Sequence, residues 1–139
     1  SSFGGVQAAA KIMNLTKTAL ENSIMSGLNE IDPDLMLKIQ DNMFTFENLV
    51  SVDNKGIQVL MRAVEPDMLM MALKNASEPC QARFFDNMSE RARGMFRDDM
   101  EAKGPQRMAD VEDAQKQIMR KARKLSDSGE LILGGADFV

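Results

Sequence analysis

The sequence predicts an all-α fold, and three observations carry that prediction. Apolar residues recur at spacings of three and four along almost the whole chain. A capping or acidic residue stands just ahead of a proline three times, at Asp32-Pro33-Asp34, Glu65-Pro66 and Ser77-Glu78-Pro79, each a helix-start signal. The one run that reads as a strand, Leu131-Ile132-Leu133, is too short and isolated to build a sheet.

Taken in order, Val6, Ala9, Ala10 and Met13 form a first apolar stripe, and Leu20, Ile24 and Leu28 a second. Asp32 caps a third helix, Pro33 occupies its first position, where a missing N–H costs nothing, and Leu35, Ile39 and Met43 face inward. These three helices have the size of one repeat of a helical superhelix. The segment Met43-Phe44-Thr45-Phe46 then leads through Glu47-Asn48-Leu49-Val50 into a polar stretch, Ser51 to Lys55, that breaks the periodicity. Gly56 blurs the next start, after which Ile57, Leu60, Met61 and Val64 share a helical face. Glu65-Pro66 opens a helix containing Leu69, Ala72 and Leu73, and Ser77-Glu78-Pro79 opens another containing Cys80, Phe84 and Phe85. A charged helix runs from about Ser89 to Lys103 and stops at Gly104-Pro105. The last long helix carries Val111, Ala114, Ile118, Ala122 and Leu125 on one stripe and ends near Ser128-Gly129.

Composition excludes more than it selects. With 139 residues, 44% of them hydrophobic, the chain can bury a core as one domain or as two small ones joined by a linker. It has no His, Trp or Tyr and a single cysteine, Cys80, which argues against His-based acid–base chemistry, Cys/His zinc sites and disulfide frameworks. A reducing cytosol suits it, and no cofactor is expected. The net charge of −4 opposes general nucleic-acid binding, which needs a basic footprint to displace counterions from phosphate. No apolar run has the length of a membrane span, and Ser1-Ser2-Phe3 does not open a signal peptide. The absence of an initiator Met is expected of a fragment or a processed chain.

The charged residues are the most informative. Lys74, then Arg91, Asp98 and Asp99 in one helix, then Arg107 just past the Gly-Pro break, carry charges of both signs, the last four within the most polar part of the chain. None is a good nucleophile or metal ligand in this company, and the set has the character of a surface that meets another charged surface. On a helical wheel with Arg91 at zero, Met95, Ala92 and Phe96 fall at roughly 40°, 100° and 140° and define the expected buried arc. Arg91, Gly94, Asp98 and Glu101 line the opposite side. Asp99, at roughly 80°, falls inside the apolar arc, so a cation is expected over it, with Arg107 the nearest candidate by sequence. The plainer reading is a solvated face, since exposed ion pairs contribute only about 0.2–1 kcal/mol each. Gly94 within a helix costs about 1 kcal/mol relative to Ala, which favours some use for a bare backbone there.

The run Asn87-Met88-Ser89-Glu90-Arg91-Ala92, with Arg97-Asp98-Asp99-Met100 and Gly104-Pro105-Gln106-Arg107, resembles the C-terminal domain of FliG, the rotor and switch protein of the bacterial flagellar motor. Ala72-Leu73-Lys74, Ile57-Gln58, Met43-Phe44-Thr45-Phe46 and Asp32-Pro33-Asp34-Leu35 add to it, as do Asp110 to Lys116 and Gly129-Glu130, so the resemblance runs from Gly4-Gly5 onward. It implies an armadillo-like three-helix subdomain over residues 6–42 joined by a hinge to a six-helix C-terminal bundle over residues 53–139, in a right-handed superhelix. Residues 43–52 would be hinge and connection, with Met43, Phe44, Thr45 and Phe46 as the hinge proper. Residues 1–5 would be a linker, Gly4 and Gly5 leading toward a middle domain.

The same resemblance implies that Lys74, Arg91, Asp98, Asp99 and Arg107 face the cytoplasmic loop of the stator ion channel, of the MotA or PomA type. It further implies packing against FliM and neighbouring FliG subunits in a cytoplasmic C-ring of the basal body, at the inner membrane. Motility, chemotactic switching and torque generation follow, without enzymatic activity. Arg93-Gly94 departs from a stretch that is usually richer in Ala, and Glu90 places an extra acid before Arg91.

Other classes remain open at this point. An enzyme could use Asp98 and Asp99 as a carboxylate pair, although adjacent helical residues diverge by roughly 100° and no phosphate loop accompanies them. A divalent-cation sensor resembling the cytosolic domain of MgtE-type magnesium channels could hold a hydrated ion at Asp32, Asp34, Asp98 and Asp99. A passive helical scaffold is the third. The chain by itself is expected to be monomeric, self-associating weakly through the apolar edges of residues 5–42.

Overall fold

A computed structural model of the chain describes residues 4–9 and 18–133, with the side chains of residues 18, 19, 21 and 22 excepted. Two compact units divide between Thr45 and Phe46. All regular structure in the described residues is helical.

The first unit contains residues 4–9 as helix α1, then α2 (Thr18–Ile31) and α3 (Pro33–Met43). Asp32 joins α2 to α3 as a single residue: its N–H bonds to the Leu28 carbonyl at 2.6 Å, and its carboxylate accepts the Leu35 N–H at 3.1 Å. That satisfies one of the orphan donors of the first turn, and Pro33 removes another. Val6, Ile39 and Met43 are buried together, with Ala9, Met25, Leu28, Leu35 and Phe44 packed around them.

Two expectations change here. The stripe Leu20, Ile24, Leu28 is not the buried face of α2, since Leu20 is 56% and Ile24 39% exposed; Met25 and Leu28, one turn apart, reach the cluster instead. Gly4 and Gly5, expected as flexible linker, lie in α1, where burial of the adjoining Val6 offsets the entropic cost of helical glycine. Ala10 and Met13 lie outside the described residues.

The second unit opens with a 3-10 helix (Phe46–Ser51), followed by α4 (Asn54–Ala63), α5 (Pro66–Leu73), α6 (Glu78–Phe85), α7 (Glu90–Lys103) and α8 (Met108–Asp127). The long α8 packs on α5, α4 and the 3-10 helix. It buries Val111, Ala114, Ile118, Met119 and Ala122, the predicted stripe with Met119 added, while Leu125 stays half-buried. The Gln115 amide fastens it to α5 by donating to the Ala72 carbonyl at 2.8 Å.

Helix α6 clamps the 3-10 helix. Phe84, fully buried, stacks on Phe46 with ring centroids 5.8 Å apart, and the Arg83 guanidinium donates to the Val52 carbonyl. Ser77 caps α6 by accepting the Cys80 N–H at 3.3 Å. The Glu47 carboxylate accepts from the Ser77 hydroxyl and, at 3.0 Å, from the Ser77 N–H. One carboxylate thus ties the 3-10 helix to the start of α6. Leu131 and Leu133 are buried and Ile132 is 68% exposed, so this segment alternates in burial but forms no strand among the described residues.

Candidate functional site

Helix α7 is built locally. The Ser89 hydroxyl accepts the Ala92 N–H at 3.1 Å, Glu90 sits in the first turn and Lys103 in the last, each matching the helix dipole, and Gly104 at φ +66° ends the helix. Of its 14 residues only Phe96 is buried. Phe96 meets Phe85 edge to face, with centroids 5.9 Å apart, and the Arg97 guanidinium lies over the other ring of the pair, 4.6 Å from the Phe85 centroid. Lys103 Nζ stands 3.5 Å from Asp67 Oδ1 at the start of α5. One ring, one stacked cation and one exposed ion pair therefore fasten this helix to α6 and α5.

The rest of its surface is solvated. Arg91, Asp98, Asp99 and Glu101 are all exposed. The expected burial of Asp99 is corrected: Phe96, Met100 and Arg93 form the inner side, at roughly 140°, 180° and 200° on the wheel, while Met95 is 57% exposed and Ala92 is exposed as well. The inner arc is turned away from Asp99, so its carboxylate needs no cation, and no Asp99–Arg107 ion pair occurs. Arg107 is the exposed residue just ahead of α8 and caps it without a side-chain bond; Lys74, half-buried, follows the last residue of α5. Helix α5 packs on both α7 and α8. Lys74, Arg91, Asp98, Asp99 and Arg107 thus come from three packed elements of one unit, and none is engaged in an ion pair among the described residues.

Periodicity did not single out Arg97 or the Phe85–Phe96 pair. Arg97 carried no signal beyond its place in the charged run, because its partner ring lies on another helix. Arg93 is half-buried and its Nε lacks a hydrogen-bond partner.

The hinge residues divide between the units. Met43 ends α3 inside the first core, Phe44 packs on that core with extended backbone at φ −127°, Thr45 is exposed, and Phe46 belongs to the second core. Cys80 is fully buried 3.7 Å from the Phe46 carbonyl, and its thiol is pushed up to about 12 by burial and then by the charge of Glu47. Such a thiol stays protonated and unreactive at neutral pH.

Among the described residues no group of three or more His, Cys, Asp and Glu is placed to hold a metal ion, and no helix is long and apolar enough to cross a membrane. Asp32 is committed to its cap. The magnesium-sensor alternative finds no support, either here or in the likeness to known proteins.

That likeness points one way. The family described as the FliG C-terminal domain matches residues 26–133. The flagellar motor switch protein FliG of Vibrio cholerae is 49% identical over 97% of this chain, that of Pseudomonas aeruginosa 47% over 97% of it, and that of Thermotoga maritima 37% over 100% of it. The chain spans about 40% of the length of these relatives. Among solved structures, full-length FliG from Aquifex aeolicus superimposes with a TM-score of 0.84 over 92% of this chain and 40% of its own, at 34% identity. A Helicobacter pylori FliG fragment does so with a TM-score of 0.71 over 93% of this chain and 57% of its own, at 29% identity. With helices as the only regular structure among its described residues, an exposed charged helix and this breadth of likeness, the chain belongs to the FliG C-terminal domain family.

Proposed function

We propose that this chain is the torque and switch region of a bacterial flagellar rotor, its charged surface meeting the cytoplasmic loop of a MotA- or PomA-type stator. Arg91, Asp98 and Asp99 on α7 carry the contact, with Lys74 and Arg107 flanking it. The observation that carries this reading is that α7 leaves all but one of its side chains outside the core while holding charges of both signs. A stator that pushes repeatedly needs a contact that forms and releases fast. Exposed charges suit that better than a large apolar interface, because they steer the approach while each pair binds weakly.

Switching of direction is assigned to the Met43–Phe46 segment. Met43 and Phe44 are anchored in one core and Phe46 in the other, so a change of backbone angles at the exposed Thr45 need not disturb either. Methionine at one end supports repacking between arrangements of similar energy. Gly4 and Gly5 lie on the side expected to lead to a middle domain. FliM and neighbouring FliG subunits complete the assembly, at the cytoplasmic face of the inner membrane.

The test is charge reversal in the full-length protein in flagellated cells. Arg91→Glu with Asp98→Lys is expected to stop rotation while leaving filaments intact, and reversed charges on the stator loop to restore it. Normal rotation in every variant would return α7 to a solvated face.

A further inference from the structure

We propose that Met95, assisted by Met108, supplies an apolar contact inside the charged surface, and that the stator segment meeting it presents an apolar side chain set between an acid and a base. This rests on the stator reading above. Among the described residues of the second unit the exposed large apolar ones are Val50, Met95, Met108 and Ile132, and two of these four fall in the stretch that bears Arg91, Asp98, Asp99 and Arg107. Met95, 57% exposed, lies four residues after Arg91, three before Asp98 and four before Asp99, hence within one helical turn of all three. Met108, 53% exposed, directly follows Arg107.

The fold asks nothing of Met95: Phe96 does the anchoring of α7, and Gly94 next to it has nothing within 4 Å of where a Cβ would stand. The backbone beside Met95 is therefore open to close approach. Methionine is unbranched and polarizable, so it adapts to a partner that arrives again and again in slightly different positions. Charge complementarity sets the chemistry of that partner: an acid opposite Arg91, a base opposite Asp98 and Asp99, and between them an apolar group, since a polar one would face the thioether without a hydrogen-bond partner. Apolar residues scattered singly on a surface are common, and if these are of that kind their replacement by a polar side chain of similar length changes nothing.

The experiment compares Met95→Gln/Met108→Gln, Met95→Leu/Met108→Leu and Arg91→Glu in the full-length protein, by the rotation of tethered cells. Melting of the same variants in this chain serves as the folding control. The double Gln variant is expected to lower rotation speed under load by roughly half or more, and the double Leu variant to keep it. Parental speed in the double Gln variant, or equal loss in both doubles, overturns the apolar contact. Should Arg91→Glu stop rotation while double Gln does not, only the apolar contact falls; if Arg91→Glu also rotates normally, the stator reading itself fails.

Discussion

Gly56 and Gly94 both lie in helices, yet the same substitution should move stability in opposite directions. At Gly56, a buried position in the first turn of α4, an added Cβ would stand 2.6 Å from Val52 Cγ1, 2.9 Å from Asp53 Oδ1 and 3.5 Å from Leu131 Cγ. Neither close neighbour yields easily. Val52 is a stiff β-branched side chain, 2% exposed, and Asp53 Oδ1 is the capping oxygen that accepts the Gly56 N–H at 2.8 Å. Overpacking costs about 1–3 kcal/mol and a disturbed cap about 1 kcal/mol, against which better helix propensity returns about 1 kcal/mol. Gly56→Ala should therefore destabilise by about 1–3 kcal/mol, lowering the melting temperature of a unit this size by roughly 5–15 °C. At Gly94 nothing stands within 4 Å and φ is not positive, so Gly94→Ala should stabilise by about 0.5–1 kcal/mol, or roughly 3–6 °C. With no Trp or Tyr in the chain, far-UV circular dichroism at 222 nm is the natural probe. If both variants gained stability equally, the tight packing of the α4 start against Val52 would be wrong.

The other expectations are these. Ser77→Ala removes the α6 cap and one of the two hydrogen bonds to Glu47, and should cost about 1–2 kcal/mol in thermal or urea unfolding, with Glu47→Ala adding less in the double mutant than alone. Cys80 should show alkaline linkage: unfolded, its thiol ionises near its ordinary value of 9.0, but folded it holds its proton to about 12, so its contribution is intact below pH 9 and is lost as pH rises from 9 toward 12. Melting at pH 8 and pH 10 should fall further for the parent than for Cys80→Ala, by about 1 kcal/mol. Asp99→Ala should change stability by less than about 0.5 kcal/mol, since its carboxylate is exposed and unpaired; a loss above 2 kcal/mol in an unfolding curve would restore a buried partner.

What the sequence disclosed was local. The start signals at Asp32 and Ser77, the start near Ser89, the stop at Gly104 and the stripe on α8 depend on neighbours within a turn, so spacing alone places them. Of the five charges, Arg91, Asp98, Asp99 and Arg107 stand out in the sequence because they fall in one polar stretch, while Lys74 follows the apolar helix α5. The buried side of α7 was not: a helix that buries one side chain has almost no periodic signal, and Met95 weighted the wheel toward the wrong arc. The Phe85–Phe96–Arg97 contact and the Glu47–Ser77 tie join separate elements, and no local pattern encodes them. Gly56 was read as a blur in the helix start, whereas it is the residue whose missing side chain lets Val52 close over the turn. On α2 the choice between two overlapping stripes is settled by what α3 offers, namely Ile39 and Met43.

The most direct measurement is photocross-linking in motile cells, with a photoreactive residue replacing Asp98 in the full-length protein and, as control, Lys121 on the exposed side of α8. An adduct with the stator's cytoplasmic loop from position 98, absent from position 121, is the predicted result. No stator adduct from position 98, or equal adducts from both positions, would contradict the assignment of α7 as the torque surface.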